Sequence, residues 1–327
     1  MFFLEGTRYL LGGALFLVAN LAFGACTVLY NSFLADIAPP SERDAVSSKG
    51  WGIGYLGGGI LLALNLLLYQ KADAWGVGSG LAVRVSLCSA GAWWLLFAIV
   101  PLLRLRKRAP RHLPPSVESV VTSGFMQVVR TFQDMRRYPQ TLTFLIAFLL
   151  YNDAIQAVIA LAGQYGSDYL KIPMSSLTLA ILMVQFVAFG GALLFNWIAA
   201  RITAKTAIAW ALCFWTLMMV AMFAVKTTMH YFLAAAGVAI IMGGSQALSR
   251  SLYSLMIPPG REAEYFSLYE ITNKGTSWLA PLLFGLTLQF TGSYQIAILS
   301  LIVFFIAGLF VLLRVDVPLA AAEAAAG

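Results

Sequence analysis

The chain has 327 residues, 60% of them apolar and 11% charged, with a formal net charge of +7. That balance excludes a soluble globular domain and a disordered chain, and it fits a protein whose solvent is lipid. The positive charge alone would suit a nucleic-acid binder, but the basic residues sit in short loops between apolar runs, where anionic lipid headgroups are a sufficient partner.

Nine apolar runs follow one another at 9–30, 50–70, 82–103, 141–163, 175–199, 205–225, 229–249, 265–289 and 294–314. Each is close to the ~20 residues that cross ~30 Å of hydrocarbon as a helix. Helices are expected because lipid offers no partner for a bare backbone amide. The first run carries no positive charge before Arg8 and is too long for a cleavable signal peptide. Numbering the loops from an outside N-terminus puts fifteen Lys and Arg on the inner side, among them Arg43, Arg201, Lys205 and Arg250. Five fall on the outer side, and Lys274 lies within a run. This bias predicts an outside N-terminus and a cytoplasmic C-terminus.

The second run is rich in glycine (Gly50, Gly52, Gly54, Gly57, Gly58 and Gly59), which predicts close helix packing. No strand precedes these glycines and no Lys-Ser/Thr follows, so a phosphate loop is excluded. Between the third and fourth runs lies the longest polar segment, 104–140. It opens with Arg104-Leu-Arg-Lys-Arg108, turns at Pro110, Pro114 and Pro115, and becomes amphipathic. Phe125, Val128, Val129, Phe132 and Met135 recur at helical spacing, which predicts a helix on the inner membrane face. The chain therefore divides into a three-span bundle (1–103), a central loop (104–140), a six-span bundle (141–316) and a disordered Ala-rich tail (317–327).

Cys26, Cys88 and Cys213 stand at unrelated spacings inside apolar runs. They read as buried reduced thiols, with no disulfide framework or metal site. The two histidines, His112 and His230, lie on opposite sides of the membrane, and neither belongs to a metalloprotease motif. No catalytic constellation or cofactor is expected, and the carboxylates of the 36–44 loop read as solvated. Trp93, Trp94, Tyr165 and Tyr169 read as interface belt or packing. Asn20, Asn65, Gln185 and Gln246 read as interhelical hydrogen bonders.

Ionisable groups inside a span cost about 2.5–3.5 kcal/mol each on insertion scales, so Asp153, Glu270 and Lys274 stand out. Asp153 lies midway along the fourth run between Asn152 and Gln156. Lys274 reaches a comparable depth from the same side at ~1.5 Å per residue, and Glu270 stands four residues before it on one helix face. A buried charge set of Asp153, Glu270 and Lys274 is expected. Two readings are open: a site that binds solute or moves a proton, and a structural ion pair that fastens two helices. Pro281 and Gly285 predict a bend in the eighth run.

Four segments resemble the "unknown major facilitator" family, which includes the vacuolar amino-acid effluxers of autophagy. They are Tyr30-Asn31-Ser-Phe-Leu-Ala-Asp36 running on to Ser47-Ser-Lys49-Gly-Trp-Gly, Phe144 to Gln156 with Tyr151-Asn152-Asp153, Gly243-Gly-Ser-Gln246-Ala-Leu-Ser249-Arg250-Ser251, and Gly260-Arg261-Glu262-Ala-Glu264 on to Tyr269 and Lys274. The resemblance runs from residue 20 to about 315. It implies an all-α membrane protein of the major facilitator fold, with two six-helix halves, a central cytoplasmic loop and alternating access around a midplane site. Set against twelve spans, the three-to-six split predicts a chain lacking the first three. Two departures stand out. Family members carry a pattern like Ala-Asp-Arg-x-Gly-x-Lys where this chain has Ala199-Ala200-Arg201-Ile-Thr203-Ala-Lys205, and Ala154 replaces a glycine usual after Asn-Asp.

The expected activity is secondary transport of a small polar, amino-acid-like solute by alternating access, coupled to a proton or other ion, in a bacterial cytoplasmic membrane. The candidate substrate- and ion-binding residues are Asn152, Asp153, Gln156, Gln246, Glu270 and Lys274. The candidate inner-face gating residues are Asp36, Arg43, Arg201, Lys205 and Arg250. The alternative is a truncated membrane interaction protein that transports nothing.

Overall fold

The computed structural model describes residue 2 and residues 9–105, 120–274 and 277–326. The basic and proline-rich stretch 106–119, with His112, and Arg8 lie outside the described residues. The secondary structure is helical throughout, and no strand occurs among the described residues. Eight helical stretches have the length and hydropathy to cross a membrane. They are Tyr9–Ile37, Pro40–Lys71, Ser79–Arg104, Pro139–Tyr169, Met174–Ile202, Ala204–Ala224, Thr228–Ser254 and Tyr294–Leu313.

The eighth apolar run, 265–289, is not among them: it falls on two shorter helices, Glu262–Lys274 and Leu279–Thr291. Numbered in chain order, the helices are α1 (Tyr9–Ser32), α2 (Leu34–Ile37), α3 (Arg43–Lys71), α4 (Ser79–Arg104), α5 (Val120–Asp134), α6 (Pro139–Gln164) and α7 (Met174–Ile202). They continue as α8 (Ala204–Ala221), α9 (Thr228–Ser254), α10 (Glu262–Lys274), α11 (Leu279–Thr291), α12 (Tyr294–Ser300), α13 (Ile302–Leu313) and α14 (Val317–Ala326). The expected bend at Pro281 and Gly285 lies earlier: Ser277 and Trp278 form a turn, and Pro281 falls in the first turn of α11, where a missing N–H costs nothing.

The chain separates into two compact units. One takes in residues 1–26 and 57–126. Within it Ser89 of α4 donates to Asn65 of α3 across 3.1 Å, and Trp93 packs on Phe97. The other takes in residues 27–56 and 127–327. There α9 packs against α7 and α8, α13 against α6 and α8, and α6 against α10 and α11. The core is aromatic and fully enclosed, with Trp215 stacked on Phe305 and Phe148 on Tyr269.

The closest backbone approach joins α7 and α9, not the glycine-rich α3. A Cβ on Gly191 would stand 2.2 Å from the Ile240 carbonyl oxygen, and one on Gly243 2.3 Å from that of Ala188. In α3, Gly54 faces open space and Gly57 only the Trp93 ring at 3.7 Å.

Three further expectations are corrected. The tail is the helix α14, whose Ala320 and Ala324 are buried, because small side chains at i and i+4 seat it against α6. The cysteines are free, but Cys88 and Cys213 are exposed, since the outward faces of these spans are themselves apolar. Asn20 donates to the Phe16 carbonyl of its own helix at 2.9 Å instead of bridging to another.

The amphipathic segment is helical as its spacing predicts. Its face divides: Met135 and Thr131 are buried, Val128 packs on the core and Phe132 is exposed. Asp134 pairs with Arg261 at 3.1 Å, and Glu264 pairs with the same guanidinium at 2.8 Å. Burial opposes the charge on Arg261, but these carboxylates outweigh it and raise its pKa.

Candidate transport site and inner gate

Polar side chains inside a span need partners from neighbouring helices, because lipid supplies none. In α6, Asn152 and Asp153 are both buried. The Asn152 amide donates to the Asn273 side-chain oxygen at 2.9 Å and to its main-chain carbonyl at 3.3 Å, in the last turn of α10. Asn273 in turn donates to Glu270 at 3.2 Å. Asp153 accepts the Ala280 N–H, in the first turn of α11, at 2.6 Å. Its second oxygen is buried with no hydrogen-bond partner among the described residues.

The expected three-member charge set therefore does not form. Glu270 and Lys274 meet as their i,i+4 spacing predicts, at 3.4 Å, with the carboxylate buried and the ammonium half-exposed. Asp153 makes no ion pair among the described residues. Equal depth brought it to the right level, but its azimuth on α6 points it at a backbone amide. Gln156, one turn further on, is half-buried. Gln246 of α9 lies elsewhere, accepting from the Tyr55 hydroxyl of α3 at 2.5 Å.

The candidate gating residues divide into two groups. Arg250 of α9 is 4% exposed and sits among residues of α1 and α3. It donates to the Ser47 hydroxyl at 2.9 Å, the Ser47 carbonyl at 3.1 Å and the Asn31 side-chain oxygen at 3.2 Å. Its guanidinium also faces the Tyr30 and Trp51 rings, 5.2 and 5.9 Å from their centroids. Gly50 leaves room for this cluster, since a Cβ there would stand 3.1 Å from the Tyr30 hydroxyl. Among the described residues no carboxylate pairs with Arg250.

Next to it, Arg43 donates to the Ser254 carbonyl at 2.6 Å, Ser47 to the Ala247 carbonyl at 2.6 Å, and Ser251 to Asp44 at 2.5 Å. Asn31, Asp44, Ser47 and Ser251 complete this end and were not among the candidate site residues. Asn31, Ser47 and Ser251 do fall within the segments that carry the family resemblance. A cavity of about 600 Å³ opens beside the cluster, lined by Arg43, Ser254, Glu262 and the α14 residues Val317 and Ala321.

Arg201 and Lys205 belong to a different corner. Arg201 lies 3.4 Å over the Trp197 ring, and Lys205 caps the end of α13 by donating to the Leu313 and Val315 carbonyls at 3.0 and 2.7 Å. Asp36 is exposed on α2.

The arrangement has relatives. A family model described as "Vacuole effluxer Atg22 like" matches residues 1–325. The "Uncharacterized MFS-type transporter YxiO" of Bacillus subtilis is 30% identical over 312 residues, covering 95% of this chain and 72% of that one. "Autophagy-related protein 22-1" of Sclerotinia sclerotiorum is 29% identical over 289 residues, covering 80% of this chain, which spans about half (48%) of that protein.

Among solved structures, the Escherichia coli fucose:proton symporter FucP superposes with a TM-score of 0.62 at 14% identity, covering 88% of this chain and 73% of that one. A bacterial homologue of the iron transporter ferroportin, in an outward-facing state, superposes with a TM-score of 0.54 at 16% identity, covering 85% and 65%. At such identities the structures speak for the fold alone. The chain belongs to the vacuole effluxer Atg22-like family, as a multi-pass membrane transporter of the major facilitator fold.

Proposed function

We propose that this protein is a secondary transporter of a small polar, amino-acid-like solute, moved by alternating access in a bacterial cytoplasmic membrane. The observation that carries the reading is the Glu270–Lys274 pair, held inside the helical body with its carboxylate buried and its ammonium half-exposed. A zwitterion has one group for each: its carboxylate meets Lys274 and its ammonium meets Glu270. Gln156 lies on α6, whose Asn152 bonds the last turn of α10, and adds neutral polar lining. The buried carboxylate of Glu270 is also the candidate carrier of a coupling proton.

The Arg250 cluster supports alternating access. We assign it to the cytoplasmic end, following the excess of Lys and Arg in those loops. There, hydrogen bonds from α9 to residues 31–47 close one mouth, and because no carboxylate pairs with Arg250 among the described residues, its bonds can be exchanged for water when that mouth opens. In this reading residues 104–140 are the central cytoplasmic loop, with the three-span bundle before it and the six-span bundle after it, and the work is transport, not catalysis.

The test is counterflow in proteoliposomes with a panel of the twenty labelled amino acids. At least one is expected to exchange through the native protein, with Lys274→Ala reducing that exchange at least tenfold while the protein still elutes as a folded species. No exchange with any member of the panel overturns the amino-acid reading, and native exchange by Lys274→Ala removes the pair from the site.

A further inference from the structure

A helix interrupted inside a membrane exposes four N–H groups at one new end and four carbonyls at the other, with no water to receive them. The α10–α11 element faces this problem, because Ser277 and Trp278 form a turn between the two helices. Its own side chains solve half of it. Ser277 donates to the Asn273 and Lys274 carbonyls at 3.1 and 2.9 Å, covering the end of α10. Among the described residues the start of α11 has no side-chain cap from its own element: Trp278 at the N-cap position offers no acceptor, and Pro281 has no N–H to satisfy.

Two adjacent residues of α6 supply the rest. Asn152 donates to the Asn273 carbonyl on the α10 side, and Asp153 accepts the Ala280 N–H on the α11 side. Consecutive residues on a helix point about 100° apart. One rigid turn of α6 therefore reaches both ends of the interruption at once. α6 is itself held firmly there, since Gly308 of α13 lies so close that a Cβ would stand 2.9 Å from the Tyr151 Cβ.

We propose that Asn152 and Asp153 are positioning residues that clamp the two pieces of the α10–α11 element in register, and that Asp153 acts through its hydrogen bond to Ala280 instead of through its charge. This goes beyond the transport reading by removing Asn152 and Asp153 from the solute site and giving them the job of holding it. Glu270 lies in α10, one hydrogen bond from Asn273, so the clamp fixes where the Glu270–Lys274 pair stands relative to α11. A charge-carrying role for Asp153 makes the opposite demand, since an asparagine there keeps the acceptor but loses the titrating group.

The experiment is amide hydrogen exchange of residues 277–288, followed by mass spectrometry on the full chain in detergent, with counterflow measured in parallel. Asp153→Asn retains a carbonyl for Ala280, and its exchange and counterflow are expected within about twofold of native. Asp153→Leu removes the acceptor. Exchange in the first turn of α11 is expected to rise at least tenfold, and the maximal counterflow rate to fall at least tenfold at an unchanged half-saturation concentration.

Asp153→Ala stands in if the leucine variant fails to fold. Native exchange in both Asp153→Leu and Asp153→Ala overturns the clamp. An Asp153→Asn protein that exchanges like native but no longer transports overturns the hydrogen-bond role in favour of the charge. If no amino acid is carried by the native protein, the transport reading fails while the exchange data still decide the clamp.

Discussion

At Thr203 the chain departs from the glycine that its family resemblance leads one to expect, and the backbone keeps the glycine's conformation. Its φ of 128° lies in the region that side chains avoid, and strain of this kind costs about 1–3 kcal/mol. The hydroxyl returns part of it by accepting the Thr206 N–H as the cap of α8 at 3.3 Å. Replacing a threonine cap with glycine costs only a few tenths of a kcal/mol. Thr203→Gly is therefore expected to stabilise the protein by about 1 kcal/mol, read as a higher melting temperature in detergent, and a lower one contradicts the strain. The same scale shows what sequence spacing can carry. Glu270 and Lys274 lie on one helix, so the 3.6-residue period fixes both depth and azimuth, and they meet as read. Asp153 and Lys274 lie on different helices, where counting residues gives depth alone. The partner of Asp153 is a backbone amide, which no side-chain pattern announces.

Among the elements, apolar length was legible and packing was not. Eight of the nine runs fall on helical stretches long and apolar enough to cross a membrane, because the demand for internal hydrogen bonding acts locally. The eighth run, 265–289, is divided between α10 and α11 ahead of Pro281, since proline is harmless in a first turn. Glycine content also misleads about contact. The glycine-rich α3 has less intimate neighbours than α7 and α9, where Gly191 and Gly243 face opposing carbonyls. In lipid, close approach between helices rests on van der Waals contact at such small residues. Gly191→Leu has to push α9 away and is expected to cost at least about 2 kcal/mol, in the range of overpacked cores. Gly190→Ala is its control: a Cβ there meets nothing within 4 Å, and replacing a helical glycine gains about 0.5–1 kcal/mol. Thermal melts of the two variants in one detergent are expected to move in opposite directions. A shift of the same sign in both would mean that the α7–α9 approach is not what limits stability.

For the molecule as a whole, the division by sequence and the division by contact differ, and the difference has a physical cause. Apolar runs and a basic loop cut the chain near residue 104. Packing assigns residues 27–56, from the first and second spans, to the unit that holds everything after residue 127. Hydropathy averages over a span and is blind to the few polar groups that decide which neighbour it grips. Here those groups are Asn31, Arg43, Asp44, Ser47 and Tyr55, bonded to Arg250, Ser254, Ser251, Ala247 and Gln246. Each such bond contributes about 0.5–1.5 kcal/mol net, or about 1.5–3 where one partner is charged, and at least three of these involve arginine or aspartate. A set of this size holds two polypeptides together without a covalent link. Residues 1–113 and 114–327, expressed together as separate chains with a tag on the second, are therefore expected to purify as a pair through affinity capture and gel filtration. Arg250→Ala with Asp44→Ala in the same pair is expected to lower recovery of the untagged piece at least severalfold, because both substitutions remove bonds from the one cluster. Quantitative recovery of the untagged piece from the doubly substituted pair would transfer the grip to the apolar surfaces. Loss of the piece from the native pair would mean that residues 27–56 do not belong to the second unit at all.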